Sequence, residues 1–181
     1  MRRDVTLFVF LLLIESCHHR PVAIRSVGKG GETIYKSGTS LRTDLQLPDG
    51  SKVLMGASSV IRIPETFNRG DRDVFLEGEA LFNAGPPASR PFIVHTRALV
   101  IRINSDSAAF KIDGYPNHAG EEVDVLNGML LVNRSYHSSS DNEPETLKAG
   151  EMVMINTDID LMEKEKSDSM EVQSWISEDR K

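Results

Sequence analysis

In run after run between Leu41 and Ile155, apolar residues recur at every second position, and that period of two dictates extended backbone. Successive side chains of a strand point to opposite faces, so strict alternation buries one face and leaves the other polar. Leu41, Leu45 and Leu47 alternate with polar residues and stop at Pro48-Asp49-Gly50. That tripeptide is turn chemistry: Pro fixes φ, Asp bonds the local backbone and Gly takes a positive φ. Val53 and Met55 form the return strand, Val60 to Ile63 a further short run ending at Pro64, and Asn68-Arg69-Gly70-Asp71 another turn.

The clearest strand runs from Asp73 to Ala84, with Val74, Leu76, Gly78, Ala80, Phe82 and Ala84 on one face and Glu77 and Glu79 on the other, solvated one. Gly78 and Ala80 leave room for something bulky to pack closely above them, and Phe82 is expected in the core. After Gly85-Pro86-Pro87 the pattern resumes over Phe92 to Thr96, Leu99 to Ile103 and Ala108 to Ile112. Val123 and Val125 lead to Asn127-Gly128, the strongest two-residue hairpin signal there is, with Met129 to Val132 as its partner strand. A polar loop (133–144), Leu147, the turn Ala149-Gly150-Glu151 and Met152 to Ile155 complete the pattern. About ten short strands with no helix between them predict a single all-β domain, a solenoid-like roll or a sandwich.

A chain of 181 residues holds one domain with a proper core. The net charge of −6 repels phosphate backbones, and no Lys/Arg stripe interrupts it, which argues against nucleic acid and against a polybasic membrane face. Cys17 is the single cysteine, so no intrachain disulfide can form.

Residues 1–16 read as a signal peptide, with Arg2 and Arg3 as a positive start and Leu7 to Ile14 as an apolar stretch. That stretch is well short of the roughly 20 residues a spanning helix needs. Ile14-Glu15-Ser16-Cys17 resembles a bacterial lipobox, with Glu15 an unusual occupant, and makes Cys17 the expected lipidation site. The other reading is a plain secretory signal followed by an incidental Cys. Removing residues 1–16 deletes Arg2, Arg3, Asp4 and Glu15, two of each sign, so the mature charge stays −6. Residues 17–32, with Pro21, Gly28, Gly30 and Gly31, read as the lipidated Cys and a flexible tether with a span of roughly 20 Å. The domain proper is assigned to 33–157, and 158–181 to a charged tail, frayed or briefly helical, with Met162, Met170 and Trp175 as apolar landmarks.

The strands carry an ordered set of motifs. Leu47-Pro48-Asp49-Gly50-Ser51 comes first, then Leu76-Glu77-Gly78-Glu79-Ala80 with Phe82, then Arg90-Pro91-Phe92-Ile93-Val94-His95-Thr96. Phe110, Tyr115-Pro116, Asn127-Gly128 and Leu147-Lys148-Ala149-Gly150-Glu151 follow in matching order. Over roughly residues 38–157 the chain resembles the FecR domain in its Bacteroidetes-type form. In that family a cytoplasmic segment holds a sigma factor, a transmembrane helix follows, and the periplasmic FecR domain receives a signal from a TonB-dependent outer-membrane transporter. The resemblance implies a compact β-structure and a non-enzymatic signalling or docking role outside the cytoplasm. Its implied partner is an envelope protein: a transporter signalling region or a FecR-like regulator. The alternative is a lipoprotein using the same scaffold to bind a glycan or another envelope component. Only Met1 to Thr6 precede the apolar run, and the sequence stops just after Trp175, about where the family's extra module begins. Sigma-factor sequestration by this chain is therefore not expected.

Chemistry is not expected either. Glu77 and Glu79, as i and i+2 neighbours on a strand, lie roughly 6.6 Å apart, but two carboxylates on one face cannot flank a glycosidic bond. The histidines (His18, His19, His95, His118 and His137) are scattered, and no third or fourth metal ligand accompanies His18-His19. His95 should meet solvent or a polar neighbour. No nucleophile elbow and no phosphate-cradling glycine loop is present, so neither a catalytic residue nor a metal or cofactor site is assigned.

Overall fold

A computed structural model describes residues 22–40, 42–85 and 90–177. Residues 1–16, read above as a signal peptide, together with Cys17, Leu41 and Pro86-Pro87, lie outside the described residues. Fourteen strands form one hydrogen-bonded network. In chain order they are β1 (Ile24–Val27), β2 (Thr33–Lys36), β3 (Thr43–Gln46), β4 (Lys52–Met55), β5 (Val60–Ile63), β6 (Arg72–Ala84) and β7 (Phe92–His95). After them come β8 (Leu99–Ile103), β9 (Ala108–Gly114), β10 (Gly120–Asn127), β11 (Met129–Arg134), β12 (Glu145–Lys148), β13 (Glu151–Asn156), β14 (Leu161–Lys166) and the helix α1 (Ser169–Ser177).

The network is folded along β6 into two leaves that enclose the core. The C-terminal half of β6 lies between β4 and β9 in a first leaf ordered β3-β4-β6-β9-β10-β13-β14. Its N-terminal half lies between β5 and β7 in a second leaf ordered β1-β2-β5-β6-β7-β8-β11-β12. The changeover falls at Gly78: Glu77 pairs with Val60 of the second leaf, and Gly78 with Gly114 of the first. Gly78 has φ +106°, and a Cβ there would lie 2.5 Å from Ser59 Oγ. The neighbour that the Gly78 gap admits is therefore a serine, not a bulky group. Its hydroxyl donates to the Glu79 carbonyl at 3.0 Å and accepts from the Glu79 amide at 2.9 Å, holding the bend.

The inward residues of both leaves meet around Phe82. Its ring stacks on Phe110 at 5.2 Å and meets Phe92 edge-on at 6.2 Å, and all three are buried. Phe82 and Phe110 are register partners, so the stack is a cross-strand pair.

The all-β expectation matches the fold, with differences in the elements themselves. More strands form than the ten or so expected. Residues 24–27, read as tether, are β1 and pair with β2; residues 161–166, read as the start of a frayed tail, are β14 and pair with β13. The tail does end in a short helix, α1. Asn127-Gly128 does not close a hairpin. β10 pairs with β9 and β13, while β11 pairs with β8 and β12. A type I′ turn needs positive φ at both central residues, and only Gly128 has it, at +85°. The chain instead crosses there from the first leaf to the second, with Gly128 pressed against the Ser107 carbonyl.

Candidate functional site

The motif residues converge on an arginine that they do not contain. Leu47 N donates to Ser51 O and Gly50 N to Leu47 O, both at 2.9 Å, closing the β3–β4 turn. Asp49 accepts from Ser51 N at 3.0 Å and from Ser51 Oγ at 2.9 Å. Its other commitment is to Arg72 at the start of β6, Nη1 to Oδ2 at 2.8 Å. Arg72 also donates through Nη1 to the Gly85 carbonyl at 2.8 Å and through Nε to the Arg90 carbonyl at 3.0 Å, and its amide meets Pro91 O at 2.8 Å. Its guanidinium stands 5.3 Å from the Phe92 ring. One buried cation thus ties the Pro48-Asp49-Gly50 turn to the Arg90-Pro91-Phe92 segment. Continuing the alternation back from Val74 places Arg72 on the inward face; that was the available signal, and its charge hid it.

Leu76, Ala80, Phe92 and Val94 are core residues. Glu77 and Glu79 do not share one solvated face, because the bend at Gly78 sends them to different leaves. Glu77 pairs with Arg62 at 2.6 Å and stays half exposed. Glu79 pairs with Lys111 at 2.9 Å and is 15% exposed. Thr96 accepts from Leu99 N at 2.9 Å and donates to the buried Glu121, which also accepts from Ala98 N at 3.2 Å. Glu121 thereby closes the β7–β8 turn. Gly150 donates to Val125 O at 2.8 Å. Glu151 accepts from Lys148 N at 2.7 Å and pairs with Lys164 at 2.9 Å; these bonds, that from Lys164 foremost, hold its carboxyl below the ordinary range. These motif positions build the frame. Among the described residues no cluster of three or more His, Cys, Asp or Glu could hold a metal ion.

The outer faces of the two leaves differ in kind. On the first leaf, register aligns Glu79, Asp113 and Glu122 in one row and Leu81, Lys111 and Asp124 in the next. α1 lies over this face: Val172 is buried, and the Trp175 ring has Arg42 at 4.2 Å and Lys111 at 5.6 Å. Burial, then a hydrogen bond and charge from Asp124, push the Glu122 carboxyl up to about 7. Beside the helix end, a groove of ≈ 570 Å³ is lined by Leu45, Val53, Leu54, Leu81, Val22 and Ile176, among others.

On the second leaf the outward row is Ile34, Arg62, Phe75, His95 and Val100, each opposite the next. Phe75 and His95 stack at 4.7 Å with 16° between the rings, and Phe75 remains 40% exposed. His95 Nε2 lies 2.8 Å from Asp73 Oδ1, the polar neighbour expected for it.

The design is that of an all-β domain framed by its own motif residues, with two broad outer faces. The family model described as FecR protein matches residues 33–131, which is more than half of the chain. The chain belongs to the FecR family, a regulatory, non-enzymatic kind of protein. Two crystal structures of a candidate anti-sigma factor from Parabacteroides distasonis share the fold. One is 26% identical with a TM-score of 0.71, covering 81% of this chain and 65% of that one. The other is 26% identical with a TM-score of 0.70, covering 80% and 64%. This chain thus spans less than two thirds of the length of those proteins. No curated protein matches the sequence. Among the described residues no helix is long and apolar enough to cross a membrane.

Proposed function

We propose that this chain is an extracytoplasmic signalling and docking module of a sigma-factor regulatory system, acting by protein–protein contact and catalysing nothing. The observation that carries the reading is the Phe75–His95 stack, half open on the second leaf. A large ring left in water forgoes about 25 cal/mol for each Å² that a partner would cover. Aromatic rings framed by Arg62, Asp73 and partly exposed aliphatic neighbours have the make-up of an interface core. The partner chemistry suggested by the family is an envelope protein, either a transporter signalling region or a full-length FecR-like regulator. A diacylglycerol on Cys17 would hold the domain on the periplasmic side of a membrane.

Titration calorimetry of purified residues 18–181 tests this against both envelope partner types and, in parallel, the cognate sigma factor. Binding to an envelope partner, weakened at least tenfold (about 1.4 kcal/mol) by Phe75→Ala, is expected. Micromolar binding to the sigma factor, with none to the envelope proteins, would overturn the proposal. The same stacked rings also suit a sugar face, so the second reading is a glycan ligand. Binding of soluble peptidoglycan fragments in the absence of any protein partner would favour that reading.

A further inference from the structure

The first leaf and the helix that covers it are both acidic where they meet. Register places Glu122 opposite Asp113 on β9 and Met154 on β13, and Asp124 opposite Lys111 and Met152. β14 adds Glu165 and Lys166, the turn before the helix adds Asp168, and the first turn of α1 adds Glu171; with Val172 these groups line a recess of ≈ 240 Å³. Five carboxylates (Glu122, Asp124, Glu165, Asp168 and Glu171) thus face Lys111 and Lys166, Lys111 is already bound to Glu79 at 2.9 Å, and Arg42 stands over the Trp175 ring of the same helix at 4.2 Å. Asp113 lies 3.5 Å from His118 Nδ1. Ser167 Oγ donates to Asp124 Oδ1 at 2.5 Å, which fixes the start of the helix above the pair. Like charges this close in a half-buried site cannot all ionise without cost.

We propose that α1 is a proton-controlled latch: a proton held on Glu122, beside Asp124, lets the acidic start of the helix lie on the acidic leaf, and its loss loosens the helix. The raised affinity of Glu122 for its proton has burial as its first cause, then Asp124, with Glu171 of α1 contributing and Lys111 opposing. The docked state therefore holds more protons than the undocked one. Docking is strongest below the ordinary carboxylate range, weakens as pH rises from there to about 7, and is weakest above that. Ile176 belongs to α1 and also lines the groove over β3, β4 and β6, so release of the helix would take one wall residue out of that groove.

Trp175 is the only tryptophan and sits on the moving element, so its fluorescence reports the latch directly. In the full chain titrated from about pH 5 to pH 9, the emission should move to longer wavelength and acrylamide quenching should rise at least about threefold, reversibly. Glu122→Gln should abolish the transition and keep Trp175 shielded throughout. Glu171→Gln, a change at an exposed residue on the rim of the recess, should move the midpoint to lower pH without loss of fold. A flat wild-type titration overturns the proposal. So does a transition that Glu122→Gln leaves in place, which would assign it to another group, or a midpoint that Glu171→Gln leaves unmoved.

Discussion

Arg72 and Asp49 form an ion pair at 2.8 Å with side chains only 4% and 2% exposed, and it joins two sequence segments that are far apart in the chain. Removing one partner of a buried pair strands the other charge and typically costs about 3–5 kcal/mol. Asp49→Ala should therefore destabilise the domain by that order in urea unfolding at neutral pH. The double variant Asp49→Ala with Arg72→Met should cost clearly less than the two single changes added together. Additive losses would show that the two side chains do not act as a pair.

Phe82 is fully buried between Phe92 and Phe110. Phe82→Ala should cost about 3–5 kcal/mol through lost transfer energy and the cavity left behind. A loss below about 1 kcal/mol would mean that the leaves close over the gap.

Gly78 and Gly50 both have positive φ, at +106° and +88°, yet only at Gly78 would a Cβ meet its neighbours. Gly50→Ala should cost about 1–2 kcal/mol from backbone conformation alone. Gly78→Ala should cost more, because Ser59 must also move, and Ser59→Gly should restore part of that difference. Equal losses at the two glycines in thermal melts would remove Ser59 from the explanation.

Cys17 at the end of the apolar stretch is the proposed lipidation site. Radiolabelled palmitate should enter the protein expressed in a bacterial host, and Cys17→Ala should both abolish the label and release the protein from the membrane fraction. Label retained by the Ala variant would place the lipid elsewhere.

The core strands are legible in the sequence because burial writes itself as alternation, as in Val74, Leu76, Ala80 and Phe82 on β6. β1 and β14 are not. All four residues of β1 are exposed, and β14 is mostly charged; backbone hydrogen bonds to a neighbouring strand make them strands, and those bonds leave no mark on side-chain choice. Asn127-Gly128 misleads because the dipeptide encodes a sharp reversal without saying which neighbour the next strand will take. The proposed contact face is the least legible part. Phe75 and His95 are distant in sequence and meet only because β6 and β7 run parallel in one register.

Among the described residues β6 is the one strand that belongs to both leaves, with Phe75 on the outer face of one and Glu79 and Leu81 on the outer face of the other. Its two halves are interior to different leaves and joined by one backbone, between β5 and β7 in one and β4 and β9 in the other, so the leaves are expected to unfold together. Amide exchange should accordingly slow to a common rate along Val74 to Phe82. A pull applied at the aromatic pair would also be felt across the molecule under α1, carried along a single continuous backbone.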